Sequence, residues 1–192
     1  MFQVPKSLEL FRKVNASTAD GWSAPKKKKS LSISTKLTSD NVVTFKVEGV
    51  IKQKLFNICS LLYEADLHPK WVPMVTASTQ LGMPSQCGQY AQMIWKHVIA
   101  NPVPGVSNRE FTACAFASNL MQTEHKCVVI YGQSLADELT EWMGCPIVRN
   151  PKNVQVDLRS LNYMMQPCGP DSAHTKIVMI VHNLDSQFQS CC

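Results

Sequence analysis

The hydrophobic period of this chain changes twice, and the changes dictate a fold class. Leu31, Ile33, Thr35 and Leu37 alternate with Ser and Lys, Thr38-Ser39-Asp40-Asn41 forms a turn signal, and Val43, Phe45 and Val47 alternate again. That pattern reads as a β-hairpin. Gly49 ends the second strand. Leu55, Ile58, Cys59 and Leu62 then fall at i, i+3, i+4 and i+7, the spacing of one helix face, with Pro69 ending that helix or starting a short second one. After Pro73 the period returns to two. Val75, Ala77, Thr79 and Leu81 alternate, as do Ala91, Met93, Trp95, His97 and Ile99, and further strands are expected at 110–118, 126–134, 154–162 and 174–182. A hairpin, then helices, then a run of antiparallel strands is an α+β order, not alternating βαβ.

At 192 residues the chain is long enough for one sizeable core. We expect residues 1–20 to form an N-terminal helix or flexible segment and 21–192 to form the domain. The opening MFQVPKSLELFRK lacks the apolar core of a secretory signal and suits a short amphipathic helix carrying Leu8 and Phe11. The longest apolar run, Ile177 to Val181, is far below the ~18 residues of a membrane span. Eight scattered cysteines without a CxxC pair suit a reducing, cytoplasmic setting. None of the five histidines pairs with a Cys, Asp or Glu at zinc spacing, so no metal and no cofactor is implied.

The net charge of +5 is concentrated in the run Lys26, Lys27, Lys28 and Lys29. No aromatics interleave with it, which argues against nucleic acid and leaves attraction to anionic lipid as its functional reading. No phosphate-cradling loop and no nucleophile elbow occurs. The acidic segment LADELTEWMG reads as a solvated helix face rather than a paired-carboxylate site. The terminal Cys191-Cys192 is not a CaaX box, because Gln189 stands fourth from the end.

One constellation is specific by its order. Glu64-Ala65-Asp66-Leu67 and Trp71-Val72-Pro73 follow the Leu-rich helix; Pro102-Val103-Pro104 and Asn108-Arg109-Glu110-Phe111 precede the next strand; Val148-Arg149 comes later. This resembles the START family of lipid-transfer domains, of helix-grip (Bet v 1-like) fold, over residues 21 to 185. The resemblance implies a curved antiparallel sheet, helices inserted after the first hairpin, and an apolar cavity holding a phospholipid, sphingolipid or sterol. The small apolar phase Phe111, Ala113, Ala115, Ala117 suits such a space. The expected cavity residues are Met93, Trp95, Phe111, Ala113, Ala115, Val129, Tyr131, Val156, Leu158, Ile177 and Met179. Leu120 and Met121, at the tip of the loop matching the family's Ω-loop, join the four lysines as expected contacts with a transient membrane surface. Arg109 and Glu110 are expected to brace the fold by ion pairing.

Two departures qualify the resemblance. Sterol-binding members use a buried acid–base pair, where this chain offers Ala113, Ala115 and Lys96. The family fold closes with a long C-terminal helix, for which Ser186 to Cys192 leave no room; a partner or a missing segment is expected to supply that lid. The alternatives to a lipid module are a ligand-free protein-interaction module and an enzyme on the Bet v 1-like scaffold. The enzyme would need His97 or Tyr131 in the cavity as its acid–base group.

Overall fold

The structure, a computed structural model, describes residues 21–28, 30–38, 42–87 and 90–183. The expectations for residues 1–20, Lys29, the closing helix and Cys191-Cys192 lie outside the described residues. Among the described residues, twelve strands run β1 (Lys26–Lys28), β2 (Leu31–Leu37), β3 (Val43–Ile51), β4 (Val75–Cys87), β5 (Tyr90–Ile99), β6 (Arg109–Asn119), β7 (Val128–Ser134), β8 (Glu141–Trp142), β9 (Cys145–Pro146), β10 (Val154–Gln155), β11 (Leu158–Cys168) and β12 (His174–Asn183). Between β3 and β4 lie α1 (Leu55–Tyr63) and a 3-10 turn (Ala65–Lys70).

Strand order explains the shape. The main sheet reads β1-β2-β3-β12-β11-β7-β6-β5-β4, with β10 parallel to β6. The first hairpin therefore pairs with the last strand, while β4 forms the opposite edge. The helical connection from β3 to β4 must cross the sheet, and the face it crosses becomes the covered, concave one. The α helix ends at Glu64, whose ψ of 73° is not helical. The 3-10 turn that follows carries Pro69 and is tied to β4 by the Gln80 amide, which donates to Asp66 Oδ1 at 3.4 Å.

The sheet is covered on both sides. On the convex face, residues 135–147 leave the sheet and lay Leu135, Leu139, Trp142 and Ile147 over Ile94 and Cys114. This excursion is not the solvated helix read from LADELTEWMG. It holds the β8–β9 hairpin, whose turn residues Met143 (φ 50°) and Gly144 (φ 79°) are both left-handed, as a tight primed turn requires. Gly82 admits it to β4, since a Cβ there would lie 2.2 Å from Cys145 Sγ. A second convex cluster joins Leu120, Cys127, Val129, Val178 and Ile180.

Glu110, fully buried at the start of β6, pins the chain to this face. It accepts from the Asn150 amide at 3.1 Å and Asn153 Nδ2 at 2.9 Å, and faces Lys96 Nζ at 3.9 Å. Glu110 thus braces the fold as expected, with Lys96 as its cation.

Candidate functional site

Between the crossing helix and the concave face lies a cavity of about 900 Å³. A second space of about 610 Å³ shares Ile99, Phe111, Leu158, Met179 and Val181 with it and extends towards β2 and β3. The walls follow from strand parity. Met93, Trp95 and His97 are successive inward positions of β5, and their partners on β6 are Ala115, Ala113 and Phe111. On β7, Gly132 stands opposite Ala115. Ala113, Ala115 and Gly132 leave a shallow floor, and the Trp95 indole reaches across it, its Cη2 only 3.1 Å from where a Gly132 Cβ would stand.

Met93, Trp95, Phe111, Ala115, Leu158 and Met179 line the larger space, and Val156 lines the smaller. Ala113 does not. It is buried against Trp95 and Ala65, so there the alanine serves packing rather than space. Ile177 shares a strand face with Met179 but lies outside both linings. Val129 and Tyr131 are corrected outright. The inward positions of β7 are Val128 and Ile130; Val129 is buried in the convex cluster, and the Tyr131 hydroxyl donates to Gln133 Oε1 at 2.8 Å.

The loop expectation is corrected too. Leu120 is 2% exposed and sits in the convex core, held by its amide on the Cys127 carbonyl at 2.8 Å, and Met121 is half-buried. Lys26, Lys27 and Lys28 are exposed on the edge strand β1, and Lys26 borders the smaller space.

Sequence reasoning missed the helical side of the site. Phe56, Cys59, Leu62, Tyr63, His68 and Trp71 all line the cavity. Phe56 is 78% exposed and Trp71 40%, which puts them at the cavity mouth. The signal was present in the Leu-rich helix and in Trp71, but the face a helix turns to a cavity depends on where the crossing connection lands.

Ser60, Tyr63, Glu64 and Tyr163 bring polar groups to the lining, and two buried histidines meet at the wall. His68 Nδ1 and His97 Nε2 are 2.8 Å apart, and both residues are buried. His97 is ringed by His68, Trp95 and Phe111 at centroid distances of 5.0, 6.1 and 5.2 Å. Burial, aided by the neighbouring His68, pushes the His97 pKa down to about 4. Burial lowers that of His68 as well, against the Leu62 and Leu61 carbonyls and Asp66, which favour its charged form. Both rings are neutral at pH 7. Tyr163, also on the cavity wall, has its pKa pushed up to about 12 by burial. Lys96 meets Glu110 on the convex side and supplies no charge to the cavity. Among the described residues no group of three His, Cys, Asp or Glu is placed to hold a metal ion, and no helix is long and apolar enough to cross a membrane.

A strongly bent antiparallel sheet gripping a helix across an apolar cavity defines the helix-grip class. Within it, the fold is that of StAR-related lipid transfer (START) domains. The StAR-related lipid transfer protein from Xanthomonas axonopodis superposes with a TM-score of 0.64 at 15% identity, covering 88% of each chain. Human StAR-related lipid transfer protein 5 superposes with a TM-score of 0.71 at 14% identity, covering 97% of this chain and 86% of that one. No family model and no curated protein matches the chain in sequence.

Proposed function

We propose that this chain is a non-enzymatic lipid-binding and lipid-transfer module, holding one hydrophobic ligand between the sheet and the crossing helix. The observation that carries the reading is the apolar cavity of about 900 Å³ inside a START fold. At about 30 Å³ for each water-sized group, it has room for on the order of 30 such groups. Burial of each CH2 contributes about 0.8 kcal/mol, so an acyl chain or sterol skeleton needs little polar anchoring. The two solved neighbours are lipid transfer proteins by name, which supports the same function here.

The membrane-facing part of this reading is the cavity mouth. Phe56, Tyr63 and Trp71 are exposed there, and Lys52, Lys54 and Lys70 beside them are exposed as well. Aromatic rings suit the interfacial zone of a bilayer, and each lysine near an anionic surface adds about 1 kcal/mol. Docking by this rim would open the cavity towards the lipid. The exposed Lys26–Lys28 strand adds to the same attraction, in a cytoplasmic protein that visits membranes transiently.

The test is transfer of fluorescent lipids between donor and acceptor vesicles. The wild-type protein is expected to accelerate transfer of at least one lipid class, and Ala115→Trp, which fills the cavity, to abolish it while staying folded. A folded wild-type protein that neither binds nor moves any lipid class overturns the reading.

A further inference from the structure

The histidine pair at the cavity wall has a fixed donor direction. The Leu62 carbonyl, 3.2 Å from His68 Nε2, can only accept, so His68 carries its proton on Nε2. Neutral His68 then presents a lone pair at Nδ1, and the 2.8 Å contact must be a donation from His97 Nε2–H. Neutral His97 is left with an unprotonated Nδ1. Among the described residues that atom has no hydrogen-bond partner, and His97 lines the cavity. The relay from Leu62 through His68 to His97 therefore presents a hydrogen-bond acceptor at an otherwise aromatic wall.

Charge narrows the ligand further. Among the described residues lining the two spaces, Glu64 and Lys26 are the charged ones, and both are exposed. No buried cation faces the interior to neutralise a phosphate, and desolvating an unpaired phosphate would cost far more than the cavity returns. An uncharged hydroxyl fits. It carries one proton to donate, its own oxygen tolerates a weakly polar setting, and the rest of its molecule is apolar.

We propose that His97, oriented by His68, is the head-group determinant of this cavity and selects an uncharged lipid alcohol, whose hydroxyl donates to His97 Nδ1. This rests on the lipid-binding reading and names the ligand class for the same site. His97 would touch the ligand, and His68 would act as a positioning residue that fixes the tautomer.

The experiment compares matched ligand pairs on the full chain. One pair is a fluorescent sterol with a free hydroxyl and the same sterol with that hydroxyl methylated. The other is a fluorescent diacylglycerol and its acetylated form. The wild-type protein should bind the free alcohol of at least one pair about tenfold or more tighter than the capped form, the scale of a buried hydrogen bond left unmade. His97→Phe should remove that preference, weakening the alcohol and leaving the capped form within about twofold. His68→Phe, which frees the His97 tautomer, should reduce the preference with a smaller loss. Imidazole 15N shifts of labelled wild-type protein give a readout that needs no variant: His97 should be protonated on Nε2, with Nδ1 shifting when the alcohol is added and not with the ether. Equal binding of alcohol and capped form, with an unmoved Nδ1 signal, overturns the proposal and leaves lipid binding intact. Binding of none of the four ligands, together with binding of a phospholipid, overturns it by naming another class. Binding of no lipid at all overturns the functional reading itself.

Discussion

Acidification should destabilise this protein through its cavity histidine. The His97 imidazole is buried among Trp95, Phe111 and His68, and its pKa falls from the ordinary 6.5 to about 4. Between those values the unfolded chain takes up a proton that the folded chain refuses. Stability is therefore complete above about pH 6.5 and is lost as the pH falls towards 4. A difference of about 2.5 pH units at 1.36 kcal/mol each gives a total near 3 kcal/mol, of which about 2 kcal/mol develops between pH 7 and pH 4.5. His68, shifted in the same direction, adds to the effect, and Asp66 opposes it. The assay is urea unfolding at both pH values for the wild type and for His97→Phe. Carboxylates elsewhere titrate alike in both proteins, so the difference between them isolates the imidazole. The variant should start from its own offset and lose about 2 kcal/mol less on acidification. Parallel pH profiles for the two proteins would refute the argument that a neutral, desolvated imidazole sits at this wall.

Other perturbations separate the two roles that small residues play on the floor. Ala115→Leu extends into open cavity and should leave urea stability within about 1 kcal/mol while lowering lipid capacity, whereas Ala113→Leu collides with Trp95 and Ala65 and should cost about 1–3 kcal/mol. Glu110→Ala removes the acceptor of the Asn150 amide and Asn153 Nδ2, while Lys96 keeps the Val148 carbonyl, and chemical denaturation should register a loss of about 1–3 kcal/mol. The double change Phe56→Ala with Trp71→Ala should weaken co-sedimentation with anionic vesicles several-fold without lowering the melting temperature by more than a few degrees; unchanged sedimentation would remove the mouth from the docking surface.

Strand positions were legible because period-two alternation survives wherever one face differs from the other, and β2, β5, β6 and β12 fall close to where it put them. The phase of β7 was not legible. Val128, Val129, Ile130 and Tyr131 are apolar without interruption, because the sheet is covered on both sides and each face needs apolar residues. Gly132 was the available clue, since a residue opposite Ala115 and under an indole has no room for a side chain. Leu120 misled for a related reason. Its neighbours Ser118, Asn119 and Gln122 read as a loop, but the backbone turns it back onto the convex core. The segment 135–147 carries helical spacing that the left-handed pair Met143-Gly144 overrides. Both phases of β5 are largely apolar, so the sequence does not settle the inward one, which carries His97. Its partner His68 lies 29 residues earlier, on a turn whose position only the sheet crossing sets.

The central claim is that the space between helix and sheet holds a lipid. Solvent extraction and mass spectrometry of the protein purified from cells, alongside native mass spectrometry of the same sample, tests it most directly. The account predicts one lipid per chain, lost in Ala115→Trp. A folded wild-type protein that leaves cells empty, and stays empty after incubation with mixed-lipid vesicles, would contradict it.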